Sequence, residues 1–180
     1  ETEACPLGLA PTASTTAALA MGDALAIALL EARGFTAKDF AHSHPGGRLG
    51  RRLLLLIKDI MHFGGEAPAV HESAKLSDAL VEMTNKGLGM TAVVNDQRQV
   101  VGVFTDGDLR RALDRQVDVH ATPVGELMTR NYKSVRPELL AAEALHIMEE
   151  SRINALIVVD QQRRLIGALN MHDLLRAGVM

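Results

Sequence analysis

The feature that most constrains this chain is a self-repeat. Asp78-Ala79-Leu80 with Met83 recurs as Glu143-Ala144-Leu145 with Met148, Val93-Val94 as Val158-Val159, Gly102 as Gly167, and Asp108-Leu109 as Asp173-Leu174. Each of these pairs is 65 residues apart. Ile60-Met61 and Leu127-Met128 are 67 apart, so the first copy carries two extra residues near its start, around Gly64-Gly65. A fixed internal period means one supersecondary unit used twice. Neither copy has enough apolar residues for a core of its own, so the two must bury a face against each other.

Within a copy the patterning reads β-α-β-β-α. A short lead-in ends in Met61 or Met128. A proline-marked strand follows, Ala67 to Val70 or Lys133 to Arg136. Leu76, Ala79, Leu80 and Met83 then make one apolar stripe on a helix over Lys75–Lys86, as do Ala141, Ala144, Leu145 and Met148 over Pro137–Ser151. Lys86-Gly87 is a helix stop, and Pro137 suits a first helical turn. Two β-branched runs joined by polar turns predict hairpins: Thr91–Asn95 with Val100–Phe104, and Ala155–Asp160 with Leu165–Leu169. Closing helices are expected at Asp106–Arg115 and Met171–Ala177.

The junction between each hairpin and its closing helix holds the candidate chemistry. Thr105-Asp106-Gly107-Asp108 and Asn170-Met171-His172-Asp173 each set an oxygen-bearing side chain at a strand end and a carboxylate three residues on. That spacing is a capping box. It also places a carboxylate, a hydroxyl or amide and free helix N–H groups together, an arrangement suited to a phosphate and a diol. A carboxylate accepting a hydroxyl makes a charge-assisted bond of ~1.5–3 kcal/mol before desolvation.

Composition limits the partners. Aromatic residues are 3% with no Trp, and the net charge is −3, so neither stacking surfaces nor an electrostatic grip for nucleic acid is expected. The single cysteine, Cys5, has no internal disulfide partner, consistent with a reducing compartment. The histidines at 42, 44, 62, 71, 120, 146 and 172 form no metal-ligand spacing, so no metal site is expected. The methionines read as core filler.

The first third is different in kind. Thr12 to Thr16 is a polar cluster suited to capping a helix from about Thr15 to Arg33, ending at Gly34. Its apolar residues go nearly all round, which asks for burial, yet little of this chain is available to cover it. Gly22-Asp23 interrupts the apolar run, which reads as too short to span a bilayer. Phe35 to Phe40 suggests a short helical turn. His42 through Arg52 is a Gly- and Pro-marked boundary whose arginines are solvated linker charge or phosphate ligands.

Two resemblances follow from these motifs. The repeat, with Gly-Val-Phe-Thr-Asp-Gly-Asp-Leu-Arg closing its first copy, resembles a tandem CBS domain pair (a Bateman module) over about Lys58 to Met180. That resemblance implies an α/β (α+β) fold of two β-α-β-β-α repeats packed about a pseudo-twofold axis, with clefts that bind a regulatory nucleotide. The implied ligand residues are Thr105, Asp106 and Asp108 in the first copy and Asn170 and Asp173 in the second. Asn170 departs from the family's Thr or Ser, so unequal clefts are expected.

Ala4-Cys5-Pro6-Leu7-Gly8-Leu9-Ala10-Pro11-Thr12, Ser14-Thr15-Thr16, Gly22-Asp23-Ala24-Leu25-Ala26 and Ser43-His44-Pro45-Gly46-Gly47 resemble the end of the sugar-isomerase (SIS) domain of arabinose-5-phosphate isomerases. The implied division is 1–50 SIS tail and linker, 58–118 first CBS copy and 124–180 second. The resemblance further implies a cytoplasmic, tetrameric parent acting on a sugar phosphate without a catalytic cofactor. His44 is the implied catalytic residue; a loop histidine with no role is the plainer reading of the residue alone. The nucleotide is of adenine type (AMP or ATP) or cytidine type (CMP or CMP-Kdo). A purely oligomerising CBS pair is the alternative.

Overall fold

The computed structural model describes residues 2–36, 39 and 54–179. Its elements in chain order are α1 (Ala13–Ala32), β1 (His62–Phe63), β2 (Ala69–His71), α2 (Leu76–Lys86), β3 (Met90–Val94), β4 (Val100–Thr105) and α3 (Asp106–Asp114), followed by β5 (Ser134–Val135), α4 (Ala141–Ser151), β6 (Ala155–Val159), β7 (Leu165–Asn170) and α5 (Met171–Arg176). The β-α-β-β-α order of each copy is as the patterning predicts. In both copies the first strand runs parallel to the second, and the second and third form an antiparallel hairpin. Register shifts fall at Val93/Val94 and Val158/Val159, again 65 residues apart.

The pseudo-twofold is written in reciprocal hydrogen bonds. Val100 N–H donates to Arg163 O and Leu165 N–H to Arg98 O. Ile57 N–H donates to Leu139 O, and its counterpart Val124 N–H to Ala74 O. Leu56 bridges Leu140 as Pro123 bridges Lys75, and β1 pairs with β7 as Thr129 bridges Val103. The lead-in of each copy is therefore built onto the other copy. The sheets are β1-β7-β6-β5 and β2-β3-β4, the first containing a strand from the opposite repeat.

Three apolar clusters result. One lies inside the first copy around Leu76, Val93 and Phe104, with Val124 and Met128 of the second lead-in joining it. One lies inside the second copy around Met148, Leu156 and Leu169, joined by Ile57 of the first lead-in. The third is the seam: Met90, Ala92, Val100 and Val103 meet Ile157, Val159 and Ala168. Close approach dictates the two equivalent glycines. A Cβ on Gly102 meets Met128 Sδ at 2.5 Å, and one on Gly167 meets Met61 Sδ at 2.6 Å and His62 O at 2.8 Å.

Three expectations are corrected. Pro137 does not open a helix; α4 starts at Ala141, because Leu140 is held extended by its bridge to Leu56 and its N–H donates to Glu143 Oε2 at 3.2 Å. Thr12 is the N-cap of α1 but its side chain does not cap it. The Glu3 carboxylate does, accepting from Thr12 N–H at 2.6 Å and Ser14 N–H at 3.3 Å. Donors from Ser14 and Thr12 hold that carboxyl down at about 2, against an ordinary value of 4.5.

Third, the apolar stretch is not shortened at Gly22-Asp23: the helix expected from about Thr15 to Arg33 runs through it, since one interior glycine costs only ~1 kcal/mol. α1 is 20 residues with a hydropathy of 1.6, long and apolar enough by length and composition to cross a bilayer. None of its residues is buried, with Leu19, Met21 and Leu25 all strongly exposed. Of the turn expected at Phe35–Phe40, residues 37, 38 and 40 lie outside the described residues.

Candidate functional site

The β4–α3 junction folds as its sequence asks. Val100–Phe104 alternates into the seam and the first-copy core, which carries Thr105 to the sheet end in extended conformation (φ −127°, ψ 169°). There Thr105 N–H donates to Asp108 Oδ2 at 2.9 Å, and Asp108 N–H donates back to Thr105 Oγ1 at 3.3 Å. This is the reciprocal capping box. It faces a cleft of about 560 Å³ lined by Thr105, Asp106, Gly107 and Asp108 on one wall and by Tyr132, Lys133 and the Ser151–Ala155 turn on the other. Met90, Val103 and Ile157 give it an apolar floor.

Asp108 is 5% exposed, and all of its acceptor capacity is used. Oδ2 takes Thr105 N–H and the Thr105 hydroxyl at 2.7 Å, and Oδ1 takes the Thr129 hydroxyl at 2.8 Å and the Arg111 guanidinium. A carboxylate offers about four lone-pair sites. The Thr105 hydroxyl proton is thus committed to Asp108 rather than to the cleft. Arg111 reaches back one helical turn to this buried carboxylate while its own side chain stays 61% exposed.

The opposite wall is cationic. Lys133 and Arg152 side chains have no hydrogen-bond or ion-pair partner among the described residues. Arg152 caps α4 in the left-handed region (φ 53°), where the first copy has Gly87 (φ 66°). A non-glycine residue there is disfavoured, so the chain sets a cation at this wall against a local backbone cost. Tyr132, the sole tyrosine, donates its hydroxyl to Val100 O at 2.8 Å and accepts from Arg163, tying the cleft to the seam.

The second junction repeats the cap with different neighbours. Asn170 N–H donates to Asp173 Oδ2 at 2.8 Å, and Asp173 N–H to Asn170 Oδ1 at 3.1 Å. His62 Nε2 lies 3.0 Å from Asp173 Oδ1. His62 stands where Thr129 stands in the first site, offset by the 67 residues of the lead-ins. Gly87 stands where Arg152 stands in the first site, and Lys86 Nζ donates across to Gly65 O.

Of the residues singled out from sequence, Thr105, Asp106 and Asp108 line one cleft. Asn170 and Asp173 sit at the symmetry-related junction and do not line it. His44 and the arginines at 48, 51 and 52 lie outside the described residues. Sequence reading missed Arg111, Thr129, Tyr132, Lys133 and Arg152. The 67-residue offset was the available signal for Thr129, because it aligns with His62. No cluster of three potential metal ligands occurs among the described residues.

Comparisons with known proteins agree with this architecture. A family model described as the CBS domain matches residues 57–115 and 124–179. The arabinose 5-phosphate isomerase KdsD of Pseudomonas aeruginosa is 64% identical over 178 residues, covering 99% of this chain and 55% of that protein. KdsD of Escherichia coli K12 is 58% identical, covering 99% of this chain and 54% of that protein. The chain therefore spans about half the length of these relatives. Among solved structures, CBSX2 in complex with AMP is 27% identical at TM-score 0.59, covering 69% of this chain and 96% of that one. A CBS domain pair in complex with 5′-methylthioadenosine and S-adenosyl-L-methionine, 23% identical at TM-score 0.61 over 68% of this chain and 94% of that one, matches in fold.

Proposed function

The chain belongs to the CBS-domain family, and from that premise we propose that it is the C-terminal, ligand-binding part of an arabinose 5-phosphate isomerase. The observation that carries this is 64% identity to the Pseudomonas aeruginosa isomerase over 99% of the chain. In this reading the intact enzyme interconverts D-ribulose 5-phosphate and D-arabinose 5-phosphate in the cytoplasm as a homotetramer. Residues 1–50 are the tail of its SIS domain. The exposed apolar residues of α1 then have a natural cover, the remainder of that domain. The isomerisation passes through an enediol and needs an acid and a base near neutral pH, a role His44 fits by residue type. His44→Ala in the intact enzyme is expected to lower ribulose 5-phosphate turnover ~10²–10⁴-fold; an unchanged rate removes His44 from the chemistry.

The CBS pair acts as the control element. Its cleft takes a nucleotide, with sugar hydroxyls toward Asp108 and phosphate toward the cations that line it, Arg111, Lys133 and Arg152. Three observations support this: the volume of the cleft, its one acidic and one cationic wall, and AMP in the CBSX2 complex. AMP or ATP is the first choice on that ground; CMP or CMP-Kdo, as a feedback ligand, is the second. Calorimetric titration of the intact protein with AMP, ATP, CMP and CMP-Kdo tests the reading and separates the bases. Binding by none of them leaves the oligomerisation role, which predicts in turn that removing 58–180 dissolves the tetramer.

A further inference from the structure

The Asp108 carboxylate is presented to the cleft already saturated, and the fourth of its bonds is unlike the other three. Two come from Thr105 and build the helix cap, and the third comes from Thr129, fixed by its bridge to Val103. The fourth comes from a single guanidinium nitrogen of Arg111, whose side chain is 61% exposed and lines the cleft. We propose that Arg111 is a latch on Asp108, opened by a ligand that carries both a phosphate-type anion and a free sugar hydroxyl. The anion draws the guanidinium off Oδ1, and one hydroxyl donates into the acceptor position left behind. The inference rests on the nucleotide reading of the cleft.

The logic is one of exchange at a buried carboxylate. Asp108 is 5% exposed with Arg111 in place, so drawing the guanidinium away uncovers an acceptor position on the cleft side, which the ligand hydroxyl fills in place of the charged donor. A neutral nucleoside offers a hydroxyl but nothing to hold Arg111, so it must trade a charge-assisted bond for a weaker neutral one. A bare phosphate attracts Arg111 but leaves Oδ1 short of a donor. A ligand with both groups satisfies both ends of the broken pair. Phosphate and hydroxyl therefore act cooperatively, and discrimination against the unphosphorylated analogue exceeds what a direct phosphate contact supplies. The second junction lacks this device. Its Asp173 Oδ1 is held by His62, and Arg176, the counterpart of Arg111, has no side-chain partner among the described residues.

The test is calorimetry on the intact protein, wild type and Arg111→Ala, with AMP, adenosine and 2′,3′-dideoxy-AMP. In the wild type, AMP is expected to bind at least thirtyfold more tightly than adenosine, and removal of the two hydroxyls to cost at least tenfold. In Arg111→Ala, AMP weakens while adenosine tightens at least threefold, because Asp108 then has an open acceptor. Arg111→Lys, which keeps the charge but not the reach of the fork, gives an intermediate ratio. If adenosine binds no better to Arg111→Ala than to the wild type, Arg111 is a plain phosphate contact. The latch is then overturned, while the nucleotide reading stands. If AMP and adenosine bind neither protein, the same comparison is made with CMP and cytidine; failure of those as well overturns the nucleotide reading itself, and the latch with it.

Discussion

Asp108 and Asp173 occupy equivalent positions in two copies of one unit, and the chain treats them differently. Both close a capping box at the start of a helix. Asp108 then takes Thr129 and Arg111 and opens onto a cleft with Tyr132, Lys133 and Arg152 opposite. Asp173 takes His62, and glycine (Gly87) stands where Arg152 stands in the first copy. Duplication thus preserved what folding needs, the cap, and let the surroundings diverge. Side chains at the lead-in and at the C-cap of the opposite helix decide which copy keeps a binding surface.

Core truncation gives the largest effect on this comparison. Phe104→Ala and its counterpart Leu169→Ala, both fully buried, are expected to cost ~3–5 and ~2–5 kcal/mol in urea unfolding. Because the lead-ins are exchanged, each variant should still unfold in a single transition; two separate transitions would show that the copies are independent. Next come the glycines. Gly167→Ala puts a Cβ 2.8 Å from a backbone oxygen, whereas at Gly102 the backbone is 3.1 Å away and the nearer atoms belong to flexible Met128. A loss of ~1–3 kcal/mol is expected at Gly167, and less at Gly102. Equal losses would mean the two lead-ins are equally rigid.

The caps follow. Thr105→Ala removes one donor to the buried Asp108 carboxylate and the acceptor for Asp108 N–H and should cost ~1–2 kcal/mol, while Asn170→Ala removes one acceptor and should cost ~0.5–1 kcal/mol. The order of melting temperatures checks this, and the reverse order would break the asymmetry of the two junctions. The smallest effect belongs to the lead-in and closing-helix side chains of the second site. His62→Ala is expected to cost no more than ~1 kcal/mol, as its ring is 31% exposed, and Arg176→Ala to stay within about 0.5 kcal/mol.

Much of the fold was legible because apolar spacing reports burial directly. The stripe of Leu76, Ala79 and Met83 is the buried face of α2, and the two hairpins fall within a residue of where their β-branched runs end. The Thr105–Asp108 spacing correctly announced a capping box, whose geometry is local. What was not legible depended on distant partners. Leu140 starts α4 late because Leu56, far away in sequence, holds it extended. Glu3 displaces Thr12 as the cap of α1 because the chain folds back on itself over Cys5–Pro11. Arg111 and Arg152 carried no motif. Their meaning comes from facing the same cleft.

The sequence by itself determined the duplicated β-α-β-β-α unit, its two capping carboxylates and the inequality between them. Periodicity, caps and turns depend on neighbours a few residues apart, and those neighbours are written in order along the chain. Tertiary structure decided that each lead-in serves the opposite copy, which carries Thr129 to Asp108 and His62 to Asp173. It also decided that Lys133 and Arg152 come to line the cleft beside Asp108. Those outcomes follow from burying the seam of Met90, Val103, Ile157 and Ala168. Packing two apolar faces is non-directional in sequence, and it brings together residues that no local spacing connects.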